Sequence, residues 1–161
     1  MENFDRIRNY LLHRMSGEER TQFEADVRGD DVLARELELQ RFEMETIDQI
    51  EAARYLGEQP YIDKNRIGVF GWSYGGYLSS LCLLKGNDVF DAAIAVAPVT
   101  NWKWYDTIYT ERYMRTYKEN EDGYRDNSPV YFADRLKGDY LLMHGLGDDN
   151  VHFQHSAEMA N

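Results

Sequence analysis

The sequence predicts an α/β fold, in which a parallel sheet is flanked by helices and is preceded by a small helical segment. Three short apolar runs separated by helical stretches indicate the sheet, because strands alternating with helices are typical of parallel sheets. The composition changes near residue 50, since seven arginines and no lysine precede that point, whereas eleven of twelve tyrosines and all three tryptophans follow it. We therefore predict two segments of separate origin, residues 1–44 and residues 45–161.

The first segment is predicted to be helical. Phe4, Ile7, Leu11 and Met15 recur at intervals of three and four residues, which predicts one apolar face of a short helix. Ser16-Gly17-Glu18-Glu19 fits a capping box that begins a second helix, with Phe23 and Val27 on its apolar side. Gly29-Asp30-Asp31 predicts a stop followed by a new N-cap, and the helical pattern then continues from Val32 to Ala53, before Pro60.

The second segment changes to strand patterning at residue 66. Short apolar runs bounded by turn residues predict buried strands. The three runs are Ile67–Phe70, Ala92–Ala97 and Tyr140–Met143. The only cysteine, Cys82, lies in a leucine-rich helical stretch between the first two runs and is interpreted as a small buried apolar residue.

Charge and cysteine content exclude several classes of function. The formal net charge of −11 disfavours binding to nucleic acid and to anionic membranes. A single cysteine can build neither a disulfide framework nor a cysteine-based zinc site, and we predict no metal and no cofactor. No run approaches the roughly 18 apolar residues that a membrane-spanning helix needs. Cellular location cannot be read from these features.

Gly71-Trp72-Ser73-Tyr74-Gly75 forms the G-x-S-x-G pattern of a nucleophile elbow. The pattern follows a predicted strand and precedes a predicted helix, Tyr77–Leu84, which is the context that this motif requires. The two glycines are expected to avoid steric clashes in the tight turn. Ser73 is therefore the candidate nucleophile, and the backbone N–H of Tyr74 is a candidate oxyanion donor. The alternative interpretation is a glycine-rich turn that carries an exposed serine.

A serine nucleophile needs a base, and the base needs a carboxylate that orients it. Asp148 follows the third predicted strand and is the candidate acid, with Asp149 as the second choice. A loop aspartate capping a helix that starts near Val151 is the alternative interpretation of Asp148. The histidines His13, His144, His152 and His155 are better interpreted as surface or packed residues than as the base.

Aromatic residues crowd the segment from Trp102 to Tyr117. Tyr105, Tyr109, Tyr113 and Tyr117 recur every four residues, which predicts a helical stripe that packs in a core. An aromatic-walled pocket for a small apolar side chain near Ser73 is the functional alternative.

Four motifs in this order resemble serine peptidases of the dipeptidyl peptidase IV type, within the prolyl oligopeptidase family. The motifs begin at Gly71, Val96, Tyr105 and His144 and read GWSYGG, VAPV, YDTIYTERYM and HG followed by DDNVHFQ. The resemblance covers residues 45–161 and implies a partial α/β-hydrolase domain. It also implies removal of X-Pro or X-Ala dipeptides from peptide N-termini, so that a peptide is the expected substrate.

The resemblance assigns roles to individual residues. It implies Ser73 as nucleophile and Asp148 as acid of a Ser-Asp-His triad, and Asn150 as a residue that holds the substrate backbone. The residues implied to line a proline pocket are Tyr74, Val99, Trp102, Tyr105, Tyr109 and Val151. The same resemblance places the catalytic histidine beyond Asn161, an oxyanion tyrosine before Glu45, and the amine-binding glutamates in a β-propeller. We therefore expect negligible peptidase activity from these 161 residues alone.

Residues 1–44 are similar to the short helical N-terminal segments of some bacterial anti-sigma proteins, although they lack a cysteine pair for zinc.

Two further hypotheses stand beside the peptidase. The first is a truncated or chimeric product, and the second is a helical interaction module joined to a non-catalytic hydrolase remnant. A sheet without its early strands would expose a long edge and apolar faces, so we also predict poor solubility or self-association through that edge.

Overall fold

A computed structural model describes residues 2–161, apart from the side chains of residues 2, 39, 42 and 43. The chain forms two compact units that divide between Met44 and Glu45. In chain order the elements are α1 (Glu2–Leu11), α2 (Gly17–Gly29), α3 (Asp31–Gly57), β1 (Gly68–Trp72), α4 (Tyr74–Lys85), β2 (Ala92–Val96), α5 (Thr107–Met114), α6 (Glu121–Asp126), β3 (Asp139–Met143) and α7 (Gln154–Met159), with 3-10 helices at Trp102–Trp104 and Pro129–Arg135. The separate origin of the two segments stays a prediction.

The core of the first unit is a small apolar cluster. Ile7 and Phe23 are fully buried together with Leu33 and Leu37, and Met15 packs at the edge of this cluster. The prediction for Phe4 was wrong, because its side chain is 50% exposed. The cluster packs around Ile7, which lies one turn after Phe4 in α1, and Phe4 is not part of it.

Local capping hydrogen bonds set the starts of α2 and α3, as the sequence predicted. The Ser16 hydroxyl accepts a hydrogen bond from the Glu19 N–H at 3.3 Å, and the Glu19 carboxylate accepts one from the Ser16 N–H at 2.8 Å. Asp30 Oδ1 then accepts from the N–H groups of Val32 and Leu33 at the start of α3. These bonds satisfy N–H groups that a helix cannot pair internally, and they confirm the predicted starts of α2 and α3.

The second unit contains a parallel sheet in the order β1-β2-β3, which confirms the three predicted strands. Phe70, Ile94 and Leu141 form one row across the strands, and Trp72, Val96 and Met143 form the next. The chain thus crosses from β1 to β2 and from β2 to β3, and the carboxyl ends of all three strands lie at one edge. This arrangement is the helix-flanked α/β architecture that the sequence predicts.

Burial of the sheet is one-sided, so the expectation of fully buried strands was wrong. On one face, Ala93 and Ala95 are buried beneath α4, which is itself buried along most of its length. On the other face five apolar side chains remain 37–68% exposed, namely Phe70, Trp72, Ile94, Leu141 and Met143. Within the described residues, helices cover only the first face. We refer to these five side chains as the open sheet face.

Cys82 lies in the main core of the second unit, as predicted. It is fully buried with Leu83, Phe90 and Ala93. Burial raises the pKa of its thiol to about 12, so the thiolate is not accessible near neutral pH. The residue therefore acts as a small apolar side chain.

The tyrosine stripe is only partly helical, which corrects the prediction of one continuous stripe. Asp106 caps α5 by accepting a hydrogen bond from the Tyr109 N–H at 2.8 Å. Arg115 ends the helix in the left-handed region at φ 61°. Tyr105 and Tyr117 consequently lie outside α5, because the cap and the left-handed turn interrupt the pattern on both sides.

Candidate active site

Ser73 occupies the turn between β1 and α4 with φ 56° and ψ −116°. Positive φ is unusual for a residue with a Cβ and is a form of backbone strain found at functional sites. The Ser73 N–H donates to the Val96 carbonyl at 2.8 Å, and the Tyr77 N–H donates to the Ser73 carbonyl at 3.0 Å. These two bonds hold the serine at the carboxyl edge of the sheet and at the N-terminus of α4.

The two glycines of the motif have different roles. A Cβ on Gly71 would lie 1.9 Å from the Gly75 carbonyl oxygen, so the turn requires glycine at this position. A Cβ on Gly75 would meet no described atom within 4 Å. The predicted steric reason is therefore confirmed for Gly71 and wrong for Gly75.

The Tyr74 N–H lies at the first position of α4, where main-chain N–H groups point out of the helix end. The partial positive charge of a helix N-terminus favours an anion at that place. The Tyr74 N–H thus lies next to Ser73 at the helix N-terminus, and its role as an oxyanion donor stays a prediction.

Asp148 lies in the loop that follows β3. Its Oδ1 accepts hydrogen bonds from the N–H groups of Asn150 and Val151, both at 3.0 Å. The predicted alternative, a cap on a helix starting near Val151, was wrong about the helix, because α7 begins at Gln154. The two bonds instead close a tight loop turn and fix the carboxylate within it.

Ser73 and Asp148 lie at the same edge of the sheet, one beyond β1 and the other beyond β3. The strand β2 separates them, which corresponds to two strand spacings or about 10 Å. Each of the two residues is only partly exposed. The topology therefore places a hydroxyl and a carboxylate on two loops at the same edge of the sheet, on either side of the end of β2.

An aromatic cluster forms beside Ser73 around the buried ring of Trp102. Tyr109 stacks on that ring with centroids 6.1 Å apart, and Tyr105 meets it edge-on at 5.9 Å. Tyr74 and Tyr77 approach the same ring at 6.2 and 4.9 Å. The structure thus brings together four residues of the implied pocket and adds Tyr77, which the sequence analysis did not single out.

The remaining residues of the implied pocket lie on the adjoining loops. Val99 and Val151 are both 2% exposed. The Tyr105 hydroxyl donates a 3.1 Å hydrogen bond to Asn150 Oδ1 and so joins the aromatic cluster to the Asp148 loop. A second connection runs from the Thr100 N–H to Nδ1 of His155 at 3.0 Å. Together these bonds tie the two loops to each other.

Glu45 is a site residue that the sequence analysis missed. Its carboxylate accepts a hydrogen bond from the Tyr74 hydroxyl, although the two residues are 29 positions apart. Burial, with the Glu45 hydrogen bond adding to it, raises the pKa of that hydroxyl well above its usual range. Burial likewise raises the pKa of Tyr109. Both tyrosines are therefore neutral donors at physiological pH, and nothing in the local pattern around Glu45 signals its part.

Two of the four histidines are bonded to residues other than Ser73. His155 is fully buried against Thr100, and His144 contacts Ser156 and Val151. His152 is exposed, and His13 belongs to the first unit. Among residues 2–161 no histidine forms a hydrogen bond with the Ser73 hydroxyl.

Metal sites and membrane-spanning helices are both absent from the described part of the chain. No group of three or more His, Cys, Asp or Glu side chains there is placed to hold a metal ion. None of the described helices combines the length and the apolar character needed to cross a membrane.

Comparison with known proteins gives consistent matches. The model of the prolyl oligopeptidase family matches residues 20–161. Dipeptidyl peptidase 4 from Bos taurus is 49% identical over 122 residues, and prolyl endopeptidase FAP from Homo sapiens is 48% identical over 119 residues. These alignments cover 74% and 72% of this chain but only 16% of each relative. The crystal structure of Porphyromonas gingivalis dipeptidyl peptidase 4 superposes with a TM-score of 0.71 at 50% identity, covering 72% of this chain and 16% of that one.

Proposed function

This chain belongs to the prolyl oligopeptidase family, and from that premise we propose that residues 45–161 are a catalytic segment of a dipeptidyl peptidase. The segment would act on peptides with proline or alanine in the second position. The chain spans about one sixth of the length of the curated relatives that it matches. The relatives named as dipeptidyl peptidases support the reaction class.

The observation that carries this proposal is the conformation of Ser73. A serine at φ 56° between a strand and the N-terminus of a helix presents its hydroxyl at the carboxyl edge of a parallel sheet. That is the arrangement of a nucleophile elbow. Asp148 beyond β3 then supplies the acid, in the Ser, Asp, His chain order of α/β-hydrolases.

In the proposed reaction the Ser73 oxygen attacks the carbonyl carbon of the scissile peptide bond, and a histidine takes the hydroxyl proton. The Tyr74 N–H donates to the oxygen that becomes negatively charged. The tetrahedral intermediate then expels the amine of the shortened peptide, which receives the proton from the histidine. Water hydrolyses the acyl-enzyme by the same steps and releases the dipeptide. Asp148 orients the histidine and stabilises its charged form.

The aromatic cluster supports the proposed substrate preference. Trp102, Tyr105 and Tyr109 supply flat apolar walls, and Val99 and Val151 lie on the loops beside them. A proline ring is small, apolar and rigid, so it loses little conformational freedom when such walls enclose it. We propose that Asn150 holds the substrate backbone, because its amide lies on the loop between the cluster and Asp148.

We expect the 161-residue chain to have negligible peptidase activity, because no histidine is bonded to Ser73 among the described residues. Removing the base from a serine peptidase lowers turnover on the order of 10⁶-fold. Free imidazole at high concentration is a substitute base, and it should increase the labelling of Ser73 by a fluorophosphonate. Mass spectrometry of the labelled chain, with and without imidazole, measures this.

Three variants make the labelling test specific. Ser73→Ala should abolish labelling, and Asp148→Asn should remove the increase caused by imidazole. Ser16→Ala, which removes the cap of α2 in the first unit, should leave the labelling of Ser73 unchanged. A folded chain that never labels, with imidazole or without it, would contradict the proposal and would favour the helical module joined to a non-catalytic remnant. Ser73-dependent cleavage of an X-Pro substrate without imidazole would contradict the expected inactivity.

We also propose that the chain self-associates through the open sheet face. Parallel sheets are normally covered on both faces, and monomeric proteins rarely expose a large contiguous apolar patch. Here two neighbouring rows of the sheet present exposed aromatic and aliphatic side chains at matched register. Burying them against a second copy would remove this apolar surface from water.

The Trp72→Thr, Leu141→Thr double variant should weaken self-association at least tenfold, as measured by light scattering across a concentration series. Both side chains are more than half exposed on the open sheet face. Ile108→Thr is the matched control, because Ile108 is 85% exposed on α5, away from the sheet. A wild-type chain that stays monomeric at all concentrations, or a control that weakens association equally, would contradict this proposal.

A further inference from the structure

His144 follows β3 directly and has a side chain that is only 1% exposed. Its ring contacts two residues of the loop that it begins and one residue of α7. Nδ1 lies 2.6 Å from the Ser156 hydroxyl, Nε2 lies 2.7 Å from the Val151 carbonyl oxygen, and Asp148 Oδ2 lies 3.5 Å from the same Nε2. One imidazole thus spans the loop from its start to the first turns of α7.

The partners determine which ring nitrogen carries the proton. A carbonyl oxygen only accepts hydrogen bonds, so Nε2 must be the donor to Val151. In the neutral ring Nδ1 is then an acceptor, and the Ser156 hydroxyl donates to it. The Val151 contact therefore requires a proton on Nε2.

This arrangement also determines how the Asp148 carboxylate is presented. Its Oδ1 is already held by the N–H groups of Asn150 and Val151. Among the described residues Oδ2 accepts no close hydrogen bond, since its distance to His144 is longer than the 2.7–3.2 Å usual for such bonds. Oδ2 is therefore the oxygen that remains to accept a bond from a catalytic imidazole.

Ser156, His144 and Asp148 contain the three side-chain types of a catalytic triad, but they do not form a second one. Ser156 is 4% exposed, so its hydroxyl has no access to a substrate. That hydroxyl also donates to Nδ1, the nitrogen that in a triad faces the carboxylate. The group is a support for the loop and not a reaction centre.

We propose that His144 is the positioning residue of the acid loop. By bonding both the Val151 carbonyl and the Ser156 hydroxyl, it sets the loop conformation in which Asp148 Oδ1 is held by the loop and Oδ2 remains to accept a bond from a catalytic imidazole. This inference rests on the proposed function for the role of Asp148. The anchoring of the loop is nevertheless measurable without any catalysis.

The test is an NMR measurement on the full chain with three variants. His144→Leu removes both polar contacts, His144→Gln keeps an N–H donor for the Val151 carbonyl, and Ser156→Ala removes the donor to Nδ1. Amide hydrogen exchange of Asn150 and Val151 reports whether Asp148 Oδ1 still holds the loop, and exchange of Ile94 and Ala95 reports on the sheet. Imidazole ¹⁵N shifts report the tautomer.

We expect His144→Leu to accelerate exchange of the two loop amides at least tenfold while the sheet amides stay unchanged. His144→Gln should restore protection to within about threefold, and Ser156→Ala should keep the proton on Nε2, because the Val151 carbonyl still requires a donor. Unchanged loop amides in His144→Leu, equal acceleration in loop and sheet, or a wild-type ring protonated at Nδ1 would overturn the inference. Failure of the Ser73 labelling test with a normal exchange result would contradict only the proposed function.

Discussion

Gly71→Ala should lower the free energy of unfolding of the second unit by at least about 3 kcal/mol, the range of the most damaging single substitutions. The added methyl would lie 1.9 Å from the Gly75 carbonyl oxygen and 2.1 Å from its carbon. Both atoms belong to the backbone of α4, so no side chain can rotate away to relieve the overlap. The turn that carries Ser73 must open, and the hydrogen bond from Ser73 N–H to the Val96 carbonyl should be lost with it.

Urea unfolding followed by tryptophan fluorescence measures this effect, because all three tryptophans lie in the second unit. Gly75→Ala is the matched control. Its Cβ meets no described atom within 4 Å, and alanine favours a helix over glycine by up to about 1 kcal/mol. We therefore expect the control to be neutral or slightly stabilising. Equal destabilisation by both substitutions would show that the turn at Ser73 is not the one described.

Acidification should remove about 3 kcal/mol of stability through His155 alone. This side chain is fully buried, and burial lowers its pKa to about 4, although the main chain of Trp104 opposes the shift. Its Nδ1 accepts a hydrogen bond from the Thr100 N–H at 3.0 Å, so a proton on Nδ1 would face another N–H group. Nε2 is buried without a partner of good geometry among the described residues. His144 and His152 also act electrostatically against its charged form.

The pH range over which stability is lost follows from the pKa of His155 in the folded and in the unfolded chain. The unfolded chain binds a proton at His155 with a pKa near 6.5, whereas the folded chain does so only near 4. Between these values the unfolded state holds more protons, so stability falls as the pH is lowered. The contribution of His155 to the free energy of unfolding is complete above about pH 6.5 and is lost by about pH 4. The pKa differs by about 2.5 between the two states, and at about 1.36 kcal/mol for each pKa unit this gives the expected loss of stability of about 3 kcal/mol.

His155→Gln isolates this contribution, because glutamine offers an acceptor for the Thr100 N–H and does not titrate. Unfolding free energies measured from pH 7 to pH 4 should fall more steeply for the wild-type chain than for the variant. Carboxyl groups such as Asp63 and Asp88, whose pKa values are lowered by hydrogen bonds, titrate in both chains and cancel in the difference. Parallel curves would contradict the assignment of a neutral buried imidazole.

The features predicted well from sequence depend on neighbouring residues. Ser16 and Glu19 are three positions apart and cap one helix by themselves, and Asp30 begins α3 in the same way. The position of Ser73 between a strand and a helix follows from a five-residue motif whose first glycine is required by the turn. Local sterics and local hydrogen bonds leave few alternatives for such segments.

The features that were missed or mistaken depend on distant contacts. The bond between Tyr74 and Glu45 joins residues 29 positions apart, and that between Thr100 and His155 joins residues 55 apart. Aromatic rings from α4 and α5 pack against Trp102, and no spacing pattern in the sequence predicts that these rings meet. The exposure of Phe4 and of the open sheet face likewise depends on which element packs against each side chain.

The amino-acid sequence by itself determined the order of helices and strands, the turn at Ser73 and the family to which the motifs point. Each of these follows from periodicity, capping or backbone sterics within a few residues. Only the tertiary structure decided that His144 contacts Val151 and Ser156, that Glu45 bonds Tyr74, and that one face of the sheet is open. These features depend on which side chains meet when the chain folds. Hydrogen bonds and burial between residues far apart in the sequence leave no signature in a local sequence pattern.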